Sequence, residues 1–312
     1  KYGVTRDYVI NMEVVLPTGE IIWTGANVMK NSTGYNLTQL MCGSEGTLGI
    51  ITKIVFKLRG YPQKNILLLI PFTTNEEACK AIAAIFVEGI QPSGVEFFER
   101  EAGIKTIDYC EQVLNSPVTT QLPEDMGAYL LCELDGNDEE LLMRDAEKVM
   151  KVVERFPIGE VLFADSAAQK EELWKVRKNI SPAVNWKTVT KSDDVVVPRS
   201  NLPKLVTGIK EIGKQYGFNT VCFGHLGDGN LHINFLREGL TDHEWETKVP
   251  EGIGEVFKLV VKLGGTLSGE HGVGITKRPY MNIAMSEVNL NLMRGIKKVF
   301  DPNGILNPGK IF

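Results

Sequence analysis

The apolar run Asn65-Ile-Leu-Leu-Leu-Ile-Pro71 and its counterpart Ala128-Tyr-Leu-Leu-Cys-Glu-Leu134 set the architecture of this 312-residue chain. Each is bounded by turn residues and has the length of a strand, too short for a buried helix. Each is followed by a helical pattern. Residues 75–88 open with the capping-box pair Thr74 and Glu77. From Asn137 to Arg155, Leu142, Ala146, Val149, Met150 and Val153 recur at helical spacing on one face. Short strands follow at Val95-Glu-Phe-Phe98 and Glu160-Val-Leu-Phe163. Two β-α-β units in succession over 65–163 predict a ferredoxin-like split arrangement: an α+β fold with an antiparallel sheet and flanking helices.

On the N-terminal side, Tyr8 to Leu16, a Pro17-Thr18-Gly19 turn, Glu20 to Thr24 and Leu48 to Leu58 predict that residues 1 to about 60 are mostly β. On the C-terminal side the pattern predicts a helix over 166–190, a strand over 193–197 and a helix over 201–216. Two short strands around Gly224–Asn230, a long helix over 241–263, a Gly-rich loop over 264–274 and a helix over about 286–299 follow, then an extended tail.

A formal charge of −5 without a long run of like charge disfavours a nucleic-acid backbone or a charged lipid surface as partner. The apolar runs fall far short of the ~20 residues of a membrane helix. Five scattered cysteines without a Cys-x-x-Cys pair argue against a disulfide framework and a thiolate zinc site, which makes a reducing cytoplasm the default expectation. The chain opens at Lys1 directly into a strand pattern, as a sequence beginning inside a domain does.

Three of the four histidines sit in two Gly-rich segments, Gly224-His225-Leu-Gly-Asp-Gly-Asn-Leu-His232-Ile-Asn234 and Ser268-Gly-Glu270-His271-Gly-Val-Gly274. A Gly227-Asp228-Gly229 turn sets His225 and His232 face to face, and places Asn234 on the same side of its strand as His232. Two imidazoles with a carboxylate such as Glu270 are a usual ligand set for an open divalent site. Spacing alone equally allows two hydrogen-bonded hairpin histidines. His243, in an acidic helix start, reads as a surface residue. Arg177 and Lys191 are candidate carboxylate anchors, although by pattern the cations at 175, 177 and 178 first suggest a solvated helix face. Gly43-Ser44-Glu-Gly46-Thr47-Leu-Gly49 could cradle phosphates but precedes a strand, whereas the dinucleotide fingerprint opens a helix. Gly304 to Lys310 has P-loop spacing and fails at Ile311, where Ser or Thr should stand.

Taken together, Gly224–Asn234, Ser268–Gly272, Gly43–Thr52 and Asp301-Pro-Asn-Gly-Ile-Leu-Asn-Pro-Gly-Lys310 resemble the FAD-linked oxidases of the vanillyl-alcohol-oxidase type. The nearest branch is the D-2-hydroxyacid dehydrogenases, which takes in D-lactate dehydrogenase, glycolate oxidase and D-2-hydroxyglutarate dehydrogenase. The resemblance implies the second part of a split FAD domain (1–60), a substrate or cap domain (61–285) and a helix and tail returning to the flavin (286–312). It implies that His225, His232 and Glu270 bind a divalent metal (Zn, Mn or Fe). It places Asn234 and His271 at the substrate, Arg177 on its carboxylate, and Ser181 where a hydroxyl assists. Gly43, Ser44, Gly46, Thr47, Gly49 and Asn307 then lie at FAD.

The implied reaction oxidises a D-2-hydroxy acid to the 2-oxo acid by hydride transfer to flavin N5, with the metal stabilising the developing alkoxide and His271 as general base. Val195-Val-Val-Pro-Arg-Ser200 and the poor alignment of Lys191 favour a monocarboxylate, D-lactate or glycolate, over D-2-hydroxyglutarate. A metal-dependent hydrolase and a flavin-free silent fragment are the alternatives from other classes. A quinone, an electron-transfer flavoprotein or an iron–sulfur protein as electron acceptor, a homodimer, and attachment to the inner membrane through a partner are compatible with this reading.

Overall fold

A computed structural model describes residues 1–312. Contacts divide them into two bodies, one comprising Pro62–Gly269 with Lys1, the other Tyr2–Tyr61 with Glu270–Phe312.

In the second body, strands β1 (Val9–Val15), β2 (Ile21–Trp23) and β3 (Ile50–Phe56) form an antiparallel sheet in the order β2-β1-β3. The expectation of mostly β holds for these three strands only. Residues 24–49 are loop and turn apart from helix α1 (Leu37–Met41), which the Asn36 side chain caps by accepting from Gln39 N–H. Val9, Met12, Val14, Met41 and Leu48 make the buried core, against which Ile296 and Phe300 also pack.

The first body is built on a seven-stranded sheet. It begins with β4 (Lys64–Phe72), α2 (Asn75–Val87), β5 (Gly94–Glu99), α3 (Arg100–Gln112), β6 (Ala128–Gly136), α4 (Glu139–Val153) and β7 (Leu162–Ala164). These strands lie in the order β7-β4-β6-β5, fully antiparallel, which is the ferredoxin-like order expected. Unbroken apolar strands follow from burial on both faces. Leu67 and Leu69 enter one cluster with Phe98, Tyr129, Val176 and Ile180. The alternate residues Ile66, Leu68 and Ile70 are equally buried and point the other way, towards the side where α2 and α4 pack.

The sheet continues through α5 (Ala167–Lys178), α6 (Ile180–Lys187), β8 (Thr190–Val196), α7 (Leu202–Tyr216), β9 (Asn219–Gly224), β10 (Asn230–Leu236) and α8 (Asp242–Lys262). The helix expected over 166–190 is two helices, broken at Asn179 (φ −99, ψ 5). Pro182, three residues on, carries no N–H and so cannot donate the bond that continuing the helix through this point would require. Strands β9, β10 and β8 extend the sheet as β5-β9-β10-β8. The join is short: only Phe97 with Gly224 and Phe98 with Phe223 pair across it. The chain ends, in the second body, with α9 (Met281–Ala284) and α10 (Glu287–Phe300). No helix is long and apolar enough to cross a membrane.

Candidate active site

The turn between β9 and β10 is made by Gly229 in the left-handed region (φ 78, ψ 8). The returning strand then pairs His232 with Phe223, and the His225 and His232 rings stand 5.3 Å apart and nearly perpendicular. His232 is buried and His225 partly exposed. On the other side of β10, His232 is opposite Asp194 of β8. The fully buried Asp194 carboxylate accepts from the Ser268 hydroxyl (3.0 Å) and the Gly269 N–H (2.9 Å). It thereby pins the segment whose next residue is Glu270. One ligand atom each from His225, His232 and Glu270 lie within 4.8 Å of one another. The three expected donors thus converge, and two imidazoles with one carboxylate fit a divalent ion that keeps open positions.

One orienting residue went unread in the sequence. Continuing the β5–β9 register by one step sets Glu96 opposite His225, and its Oε1 lies 2.7 Å from His225 Nδ1. Burial pushes the Glu96 carboxyl up, but the bond from His225 and the Arg177 charge outweigh it and hold it below the ordinary glutamate value. An ionised carboxylate only accepts, so Nδ1 donates, and in the neutral ring the lone pair is then on Nε2. The signal was a single acid inside the apolar strand Val95-Glu-Phe-Phe98.

The second Glu96 oxygen lies 2.7 Å from Arg177 Nη2. The Arg177 side chain is 11% exposed, which overturns the solvated-face reading. Its guanidinium sits 5.2 Å from the centre of the Phe223 ring, and its Nε is buried without a partner. Asn234 shares the His232 side of β10. The Ser192 hydroxyl donates to its Oδ1 (2.6 Å), which leaves Nδ2 buried and unpaired. Two unsatisfied buried donors, on Arg177 and Asn234, suit an anionic oxygen ligand.

Lys191 is placed differently. It pairs with Phe235, so it points to the opposite face from Asn234 and gives its ammonium to the Trp245 carbonyl (2.9 Å). Ser181 is exposed near the start of α6, and His243 is exposed on α8.

In the second body, Gly43 (φ 82), Glu45 (φ 52) and Gly46 (φ 71) build the tight turn that leads to β3. The Ser44 and Thr47 N–H groups bond within it, to the Met41 and Ser44 carbonyls. Thr47 and Gly49 are buried beneath it. Asn307 (φ 40) donates its amide to the Glu45 carbonyl, while the Glu45 carboxylate accepts from Val273 N–H (2.6 Å) and Gly274 N–H (2.7 Å). The turn, the Gly272–Gly274 loop and the tail are therefore one hydrogen-bonded unit. The P-loop-like spacing has a structural explanation. The buried Asp301 carboxylate accepts from Ile305 and Leu306 N–H and pairs with Lys297, which also reaches the Thr47 carbonyl (2.8 Å). An exposed turn with residues at positive φ, backed by an amide side chain, fits part of a dinucleotide site. His271 is exposed beside this loop.

Residues 61–311 match the family of FAD linked oxidases, C-terminal domain, and the chain belongs to that family. It is 41% identical over 314 residues to the D-lactate dehydrogenase of Anaerostipes hadrus, covering all of this chain and 65% of that protein. It is 37% identical to the glycolate oxidase subunit GlcD of Bacillus subtilis (strain 168), covering all of this chain and 64% of that protein. Against the D-2-hydroxyglutarate dehydrogenase of Stutzerimonas stutzeri (strain A1501) the identity is 34%, covering all of this chain and 66% of that protein. The chain thus spans about two thirds of the length of these relatives, or slightly less. Among solved structures, 4-ethylphenol oxidase from Gulosibacter chungangensis superposes with a TM-score of 0.72 at 17% identity, over 99% of this chain and 66% of that one. This likeness establishes the fold.

Proposed function

We propose that the protein oxidises a small D-2-hydroxy monocarboxylic acid, D-lactate or glycolate, to the 2-oxo acid, using FAD and a divalent ion. The observation that carries this reading is the convergence of His225, His232 and Glu270 within 4.8 Å, in a family of FAD-linked oxidases. His225, His232 and Glu270 would hold the ion, and the Gly43–Gly49 turn with Asn307 would hold part of FAD. When bound, the ion supplies Lewis acidity to the substrate hydroxyl and FAD accepts the hydride.

The protein's own side chains do the rest. Arg177 offers its unpaired Nε to the substrate carboxylate and Asn234 its unpaired Nδ2, which fixes the orientation of the acid. His271 would take the hydroxyl proton, since an imidazole with an unprotonated nitrogen can act as a general base. Lys191, engaged at Trp245 on the other face, supplies no second anchor for a diacid. The stretch Thr190–Val196 therefore favours a monocarboxylate over D-2-hydroxyglutarate. A quinone, an electron-transfer flavoprotein or an iron–sulfur partner would serve as the electron acceptor.

The test is flavin reduction in the full-length protein by D-lactate, L-lactate, glycolate and D-2-hydroxyglutarate, with and without a chelator. Bleaching by the D-monocarboxylates, abolished by the chelator and in His232→Ala, is expected. Turnover that persists without metal overturns the ion's role. A preference for the diacid overturns the substrate assignment.

A further inference from the structure

Glu96 touches both halves of the proposed site. Its Oε1 takes His225 Nδ1 and its Oε2 faces Arg177 Nη2, each at 2.7 Å. Both side chains of the ion pair are 11% exposed, so it is not a loose surface pairing. Arginine has only donors and a carboxylate only acceptors, so this geometry requires a proton on His225 Nδ1, and the neutral ring in the Arg177–Glu96–His225 chain is then the Nδ1–H tautomer. Nothing in the metal-and-anion reading requires Glu96, which lies on β5 of the ferredoxin-like half while both histidines flank the turn between β9 and β10.

We infer that Glu96 is a positioning residue that locks His225 in the Nδ1–H form, with Nε2 turned out as a ligand, and that Arg177 enforces this choice. The inference rests on the metal-site reading for its consequence, but not for the lock itself.

Glu96→Gln separates the two. Glutamine has one acceptor oxygen and one donor nitrogen. Charged Arg177 claims the oxygen, because a charge-assisted bond outcompetes a neutral one. The NH2 then faces His225 Nδ1, which must accept, and the ring proton moves to Nε2. An Nε2–H cannot ligate. Metal affinity is expected to fall roughly 10–100-fold, the usual effect of losing a residue that orients a ligand. Removing the enforcer reverses this. In Glu96→Gln/Arg177→Met the amide is free to turn its oxygen to Nδ1–H, and most of the affinity returns. A lesion that merely loosened packing would worsen on a second substitution.

The experiment uses full-length protein labelled with 15N-histidine. His225 is assigned by the signal missing in His225→Gln, and spectra of the metal-free protein are recorded above the imidazole titration range. In parallel, Zn2+ or Co2+ affinity is measured by competition for wild type, Glu96→Gln and the double variant. The expected result is an Nδ1–H tautomer in wild type, Nε2–H in Glu96→Gln, and recovery of both tautomer and affinity in the double variant. An Nε2–H tautomer in the wild type overturns the assignment without need of any variant. So does an unchanged tautomer in Glu96→Gln, or a double variant that binds metal no better than the single one. A tautomer that switches as described in a protein that binds no ion upholds the lock and refutes the metal reading instead.

Discussion

Removal of the Asp194 carboxylate tests how the segment before Glu270 is held. Asp194 is fully buried and takes two donors from that segment, the Ser268 hydroxyl at 3.0 Å and the Gly269 N–H at 2.9 Å. Hydrogen bonds to charged groups contribute about 1.5–3 kcal/mol each. The Gly269 N–H keeps a second acceptor, the Asp194 backbone carbonyl at 2.9 Å, so Asp194→Ala forfeits only the charge-assisted share of that bond, about 1 kcal/mol. With the Ser268 bond the total comes to about 3 kcal/mol. Asp194→Asn keeps one acceptor oxygen, and its cost is about 1 kcal/mol. The same loosening frees the residue preceding Glu270, so metal affinity in Asp194→Ala should drop about tenfold. Urea unfolding of the full-length protein reads the first quantity, as a shift of midpoint at constant slope. Competition against a chelating dye reads the second. An Asp194→Ala protein within about 0.5 kcal/mol of wild type, the range of an inconsequential surface change, refutes the role given to this carboxylate.

Two further outcomes follow from backbone and charge. A Cβ at Gly229 would lie 2.1 Å from the Val197 carbonyl at φ 78, whereas at Gly239 (φ 76) it would meet nothing within 4 Å. Gly239→Ala should therefore cost only the left-handed backbone term of about 1–2 kcal/mol, and Gly229→Ala clearly more, with loss of metal binding; equal thermal shifts would count against the hairpin geometry. Burial raises the Asp301 carboxyl, but Lys297 and the Leu306 and Ile305 N–H groups outweigh it and hold it below the ordinary 3.8. The folded value is the lower one, so this stabilisation is complete above 3.8 and fades as pH falls through the folded value. Amide exchange of residues 302–312, corrected for intrinsic rate, should accelerate in that acid window and not between about pH 6 and 8. Uniform protection throughout would remove Asp301 as the tail's clamp.

What the sequence disclosed depends on how local each determinant is. The strand order β7-β4-β6-β5 was legible because apolar runs of strand length alternate with capped amphipathic helices, and few topologies satisfy that alternation. The histidine pair was legible because a Gly-Asp-Gly turn fixes both ends within a few residues. Glu96, Asp194 and Ser192 were not. Their partners lie 129, 74 and 42 residues away, and only the register of paired strands makes them neighbours. Arg177 was misread by pattern for a related reason. A helix bearing three cations looks solvated until the strand opposite contributes a buried acid. Glu45 was similarly hidden in a motif whose glycines are the more conspicuous feature. Its carboxylate binds backbone N–H groups 228 and 229 residues on.

The short seam between β5 and β9 accounts for the location of the site. A ferredoxin-like sheet ends at β5 with unpaired backbone, an edge that invites another strand, and β9 covers it through two residue pairs only, Phe97 with Gly224 and Phe98 with Phe223. Longer pairing would seal side chains on both strands into packing. Here pairing stops at Gly224, where the backbone runs so close to Asn230 and Leu231 that a Cβ would meet the Asn230 carbonyl at 2.6 Å. The next residue on each strand, Glu96 and His225, is thereby released from the ladder but kept opposite its partner. A polar pair, Glu96 buried and His225 partly exposed, can then meet at the join. The two halves of the sheet are thus coupled through the same carboxylate that orients the proposed ligand. With β5 held to β6 over Gly94–Glu99, a substitution that slipped this seam by one residue would reverse β9 relative to β5 and part His225 from Glu96. Site geometry and sheet register are in this protein a single constraint.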